Sequence, residues 1–175
     1  MVLRSMSKLQ NRFRALAVPE QRHLVDEAIP HRVSLIEQCI SEAPTFGRLT
    51  TAAIHARGLA GFLGIGADRT RLWVDSRYHD HGSGESYEVK ISDIKNGALF
   101  TQDELNALPA VDQDAIRVGF DTTNREFAHL TFWSDPALQQ PHGAPSDNYI
   151  HDLANRVSRF VQTVIRLLHQ RTKGL

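Results

Sequence analysis

The segment Gln113–Trp133, QDAIRVGFDTTNREFAHLTFW, decides the fold. Ile116, Phe120, Thr123, Phe127 and Leu130 recur at helical spacing and predict a helix over about 113–133, with Asp112 as its cap. The segment is not a strong helix former, because Val118, Gly119, Thr122 and Thr123 all lower helix propensity. Read as a strand from Ile116 to Phe120, it would turn a helical bundle into a mixed fold. On the helical reading, Arg125 and His129 stand four residues apart and share a face. That face lies opposite the Ile116/Phe120/Phe127 stripe. Val118 and Phe132 fall on the same second side, so the helix is apolar on two faces and is expected to be covered by two neighbours or by a dimer partner.

Working outward, the pattern from Pro19 to about Glu42 is helical, and Pro30 either kinks it or starts a second helix. Pro44 and Gly47 mark a turn. A helix is expected over about 48–63, with a stripe of Leu49, Ala52, Ala53, Ala56, Leu59, Ala60 and Leu63 whose small residues admit a close neighbour. His55 falls at one edge of that stripe and Arg57 outside the other. Gly64, Gly66 and the charged run 67–71 end the helix. Leu72–Arg77 and Ser86–Ile91 alternate with period two and predict a β-hairpin inserted at about 70–92, with Glu88 and Lys90 on its solvent face. Thr101-Gln102-Asp103-Glu104 is a capping box before Leu105. Ser146 caps a last helix to about 171, striped by Ile150, Leu153, Ala154, Val157, Val161, Val164 and Leu168. The expected fold is mainly α: a four- to five-helix bundle with a short β-hairpin insert. Residues 1–18 form a basic lead-in prone to fraying, and 19–175 form a single helical domain.

Composition narrows the function. The chain has 175 residues, 41% of them apolar, enough for one domain with a real core. Lys+Arg and Asp+Glu both number 20, so the formal net charge is zero. This argues against a protein that coats nucleic acid through bulk positive charge, while leaving a local site open. The single cysteine, Cys39, excludes an internal disulfide and a Cys-rich zinc site, and its helical context suits a small buried hydrophobe. No run of about 18 apolar residues exists, so no membrane partner is expected. Residues 1–14 lack the apolar core of a secretory signal, and the expected compartment is the cytoplasm.

Two helices carry a resemblance. Ala53-Ile54-His55-Ala56-Arg57-Gly58-Leu59-Ala60-Gly61-Phe62-Leu63, followed by a polar insert and then Asn124-Arg125-Glu126-Phe127-Ala128-His129-Leu130-Thr131, resembles a group of bacterial proteins similar to the HEPN superfamily of helical bundles. The resemblance covers roughly residues 20–165. That superfamily includes ribonuclease toxins and defence proteins. Its ribonucleases carry an Arg-x(4–6)-His motif in a late helix, paired across two protomers. Arg125 and His129, with three residues between them, are the nearest match and sit one residue closer than the shortest family spacing. The resemblance implies RNA as partner, a homodimer, and Arg125 and His129 as catalytic residues, with no cofactor. His129 would move the 2′-hydroxyl or leaving-group proton, and Arg125 would stabilise the phosphorane charge.

Other readings stand beside this one. His129 can be a packed histidine inside the bundle with Arg125 as an ion-pair residue, which makes the chain a non-catalytic interaction or scaffold module. His55 and Asn124 are possible supporting residues, with His55 expected to make a buried polar contact to the Asn124/His129 helix. Asp75 followed by Glu88-Val89-Lys90 imitates the PD-(D/E)XK nuclease pattern, in which two carboxylates hold Mg²⁺ beside a lysine. No further strands follow Ile91 to complete that fold. His79, Asp80 and His81 form a solvated loop in which adjacent imidazoles hold a transition metal weakly at best. No metal site is expected.

Overall fold

The structure, a computed structural model, describes residues 17–75, 89–128, 146–173 and 175, without the side chains of 126–128. Helix α1 (Val18–His23) runs through a π-helical turn (Leu24–Ala28) into α2 (Ile29–Ser41). Pro30 stands in the first turn of α2, as the reading of a second helix allows, but the π turn joins that helix to α1 without a break. A proline inside an α-helix has no N–H to give and crowds the carbonyl four residues back. The wider π turn, closed by the Ile29 N–H on the Leu24 carbonyl, carries the chain past it. Glu20 Oε2 accepts the Ala17 N–H at 2.7 Å and fixes the start of α1.

Helix α3 (Phe46–Phe62) begins at Thr45, whose Oγ1 accepts the Arg48 N–H. All seven residues of its predicted stripe are buried. Its small side chains let the long α6 (Asp147–Thr172) lie across it, while α2 covers a second side. Ser146 caps α6 as the sequence implies, its Oγ accepting the Tyr149 N–H at 3.2 Å. The buried arc of α6 is wider than the predicted stripe, since Phe160, Thr163 and Leu167 are buried with it. Cys39 is half-buried and packs against the core. Among the described residues, no helix is long and apolar enough to cross a membrane.

The hairpin is real but stands earlier than expected. Strands β1 (Ile65–Ala67) and β2 (Leu72–Val74) pair antiparallel, with Ile65 opposite Val74 and Ala67 opposite Leu72. Gly64, at φ +75°, turns the chain directly out of α3 into β1. The run 67–71, read in the sequence as a breaker, is the hairpin turn. Asp68 Oδ1 accepts from the Thr70 N–H, the Thr70 hydroxyl and the Arg71 N–H. The expected second strand is not one over the part that is described. Val89 and Lys90 lie outside any strand, and Ile91–Asp93 form a 3₁₀ turn. Lys90, expected on the solvent face, is 1% exposed.

The capping box at Thr101 forms, with Thr101 Oγ1 accepting the Glu104 N–H and Glu104 Oε2 accepting the Thr101 N–H, and opens α4 (Gln102–Asn106). Helix α5 (Ala110–Thr122) starts behind Pro109, earlier than the sequence suggests. Asp112 therefore lies within its first turn rather than capping it, and pairs with Arg166 of α6 at 2.7 Å. The helical reading of the deciding segment holds through 128. Ile116, Phe120 and Thr123 are buried, and α5 packs on α6 with the Phe160 ring seated over Gly119. At Thr123 the rod widens into a π-helical segment, Thr123–Ala128. Thr123 Oγ1 donates to the Gly119 carbonyl at 2.6 Å, a back-bond that competes with the regular ladder and favours this departure.

Candidate functional site

The π-helical end of α5 gathers polar groups from three elements. Asp121, in the last turn of α5, takes Arg69 from the β1–β2 turn at 2.7 Å and faces Arg125 Nη1 at 3.9 Å. Beneath them, Arg57 of α3 donates from Nη1 to Asn124 Oδ1 and lies over the Phe120 ring, 5.4 Å from its centroid. On the α6 side, Arg156 donates to the Thr122 hydroxyl and pairs with Asp152. The side chain of Arg125 is 58% exposed and that of Arg69 54%, so both guanidinium groups reach solvent. Arginine is the side chain that best matches the paired oxygens of a phosphate.

Of the residues singled out in the sequence, Arg125 and Asn124 stand together here. His129, the other half of the motif, lies outside the described residues, as do Glu88 and the His79/Asp80/His81 loop. Among the described residues, the hydrogen bond to Asn124 is made by Arg57, which the sequence placed outside the stripe, and not by His55. Helix α3 is packed on two sides, and the two residues are about 200° apart on it. Arg57 therefore faces the α5 end while His55 turns to α2. There burial first, then the charges of Arg32 and His31, push the His55 pKa below the usual imidazole value.

Of the metal-nuclease constellation, Glu88 lies outside the described residues, and Lys90 is buried rather than on a solvent face. Lys90 Nζ donates to the Gly61 carbonyl at the end of α3, and its backbone N–H donates to Asp93 Oδ2. The Nζ bond satisfies a carbonyl at the end of α3, as a helix cap does. The Asp75 N–H closes onto the Gly64 carbonyl at 2.7 Å, at that same end of α3. Among the described residues, no group of three His, Cys, Asp or Glu side chains could hold a metal ion.

Asp121 and Arg69 are the members that sequence reasoning missed, and Arg57, noted beside His55, was given no partner. Asp121 and Arg125 are four apart on one helix, so that pair was available from spacing alone. Arg69 and Arg57 were not, because their partners are 52 and 67 residues away in the chain. Comparison with protein-family models, with curated proteins and with solved structures finds no match to this chain.

Proposed function

We propose that this chain is a HEPN-like helical-bundle protein that binds RNA at the π-helical end of α5 and cleaves it with Arg125 and His129, paired with the same residues of a second copy. The observation that carries the reading is the placement of Arg125. It is exposed, beside Arg69, on a π-helical segment that leads directly to His129. Such segments occur frequently at functional sites. Asp121 holds the two cations near one another, and the Arg57–Asn124 bond anchors the segment to α3. In the proposed reaction the 2′-hydroxyl attacks the adjacent phosphorus and the 5′-oxygen leaves. His129 moves a proton, and Arg125 offsets the charge on the phosphorane.

The test is cleavage of a mixed RNA by purified protein in EDTA, with His129→Ala and Arg125→Ala as comparisons. Loss of about 10²- to 10⁴-fold in rate with an unchanged melting temperature is expected. No cleavage by any form, together with a lower melting temperature for His129→Ala, would make His129 a packing residue. The bundle would then be an interaction scaffold.

A further inference from the structure

A second site lies on the other side of α3, away from the arginine cluster and independent of the RNA reading. The π-helical turn of the first rod and the start of α2 stand off from the end of α3 and leave a cavity of about 330 Å³. Its lining is mixed, with Leu24, Ile29, Leu59, Phe62 and Val89 supplying the apolar part. The size is at the low end for small-molecule sites, which suits a small ligand rather than a nucleotide.

One cation stands in this wall. Arg32 is exposed and lies over Gly58, where a β-carbon would stand 3.0 Å from Arg32 Nη1. Among the described residues, Arg32 has no hydrogen bond or ion pair, and no carboxylate lines the cavity. The acid of the adjoining π turn that could serve, Glu27, pairs instead with His23 at 3.1 Å. A chamber with this apolar part and one open guanidinium at its wall is complementary to a molecule with an apolar body and one planar anionic head.

We infer that this cavity binds a small monocarboxylate with an apolar chain, its carboxylate paired with the Arg32 guanidinium and its chain against Leu24, Leu59 and Phe62. A single fork-shaped donor matches two carboxylate oxygens side by side. Gly58 leaves the space in which the Arg32 guanidinium lies at the cavity wall, and the widened turn that carries the chain past Pro30 stands off from α3 and leaves room for the ligand.

The probe is octanoate, measured by calorimetry and by thermal shift on the full chain, with octanol and acetate as controls. Octanoate should bind with a Kd of about 1 mM or tighter. Octanol, with no charge, and acetate, with no chain, should each bind at least about tenfold more weakly. Arg32→Gln should lower octanoate affinity about 10- to 100-fold without lowering the melting temperature, since Arg32 is exposed and holds nothing in the fold. Gly58→Leu should fill the cavity and abolish binding. If that variant does not fold, Arg32→Gln alone decides. Octanoate failing to bind, or binding Arg32→Gln as well as the natural chain, overturns the inference. Octanol binding as tightly as octanoate does the same, because the cavity would then be only an apolar void.

Discussion

Arg57 Nη1 donates to Asn124 Oδ1 at 2.5 Å, tying the middle of α3 to the π-helical end of α5, and the same guanidinium covers the Phe120 ring. The bond is half-buried, so water does not simply replace it when one partner is removed. Arg57→Ala and Asn124→Ala should each lower stability by about 1–2 kcal/mol. In a double-mutant cycle the pair should show a coupling of about 1 kcal/mol. Urea unfolding of the four proteins measures it, and strict additivity would show that the contact contributes nothing specific.

Gly119 and Gly47 make opposite predictions for the same substitution. A β-carbon at Gly119 would stand 2.1 Å from Cγ of Phe160, whose ring is fully buried between α5 and α6. Gly119→Ala must push the helices apart or drive Phe160 off its rotamer, at a cost of about 1–3 kcal/mol despite the better helix propensity. A β-carbon at Gly47, in the first turn of α3, meets nothing within 4 Å. Gly47→Ala should stabilise by about 0.5 kcal/mol. Thermal melts of the two variants, moving in opposite directions, check the placement of both helices.

These contrasts also mark what the sequence could say. The stripes of α3 and α6 were legible because each buries a continuous arc, and 3.6-residue spacing reports that directly. The caps at Thr101 and Ser146 were legible because a cap is local. The hairpin was misplaced because Gly64-Ile65-Gly66 reads equally as a helix end. The alternation through Val89 and Lys90 predicts a half-exposed strand, whereas Lys90 is buried and bonds the Gly61 carbonyl at the end of α3. In the candidate site, the Asp121–Arg125 pair was visible in spacing. The Arg57–Asn124 bond was not, since it depends on how α3 faces α5 and on the π widening at Thr123, which shifts Asn124 and Arg125 around the rod. Periodicity assumes a uniform helix and cannot register that shift.

The capping box gives a pH prediction. The Thr101 N–H, and then the Arg171 guanidinium, favour the ionised Glu104 carboxylate and hold it below the usual glutamate range, partly opposed by burial. Its folded pKa is lower than its unfolded one, so the unfolded chain binds the proton first. The stabilisation is complete above the ordinary glutamate value and is lost as the pH falls through the depressed folded value. Glu104→Gln should therefore be less stable than the natural chain at neutral pH, and the two should converge in acid. Thr101→Ala should lose about 1 kcal/mol at neutral pH through the cap itself. Denaturation at a series of pH values tests both, and a gap between natural chain and Glu104→Gln that stays constant into acid would rule out the linkage.

Asp121 offers the sharpest test of the RNA reading, because it acts in opposite directions in the two accounts of the cluster. As a structural acid, it joins Arg69 of the hairpin to α5 at 2.7 Å, and Asp121→Asn should only destabilise, by about 0.2–1 kcal/mol given the exposure of the pair. As part of an RNA site, it is the negative charge between two cations that would otherwise face phosphates. Asp121→Asn should then tighten RNA binding even as it lowers the melting temperature. Arg69→Ala and Arg125→Ala should each weaken binding, and each should reduce the slope of log affinity against log salt by about 0.7, one phosphate contact on single-stranded RNA. Anisotropy titrations of a labelled single-stranded RNA at several salt concentrations measure all three variants. Weakened binding in Arg69→Ala and Arg125→Ala with a reduced salt slope, together with tighter binding in Asp121→Asn, places the phosphate backbone on this end of α5. Unchanged affinity in Asp121→Asn alongside a lower melting temperature would leave the cluster as a brace between the hairpin and the helix.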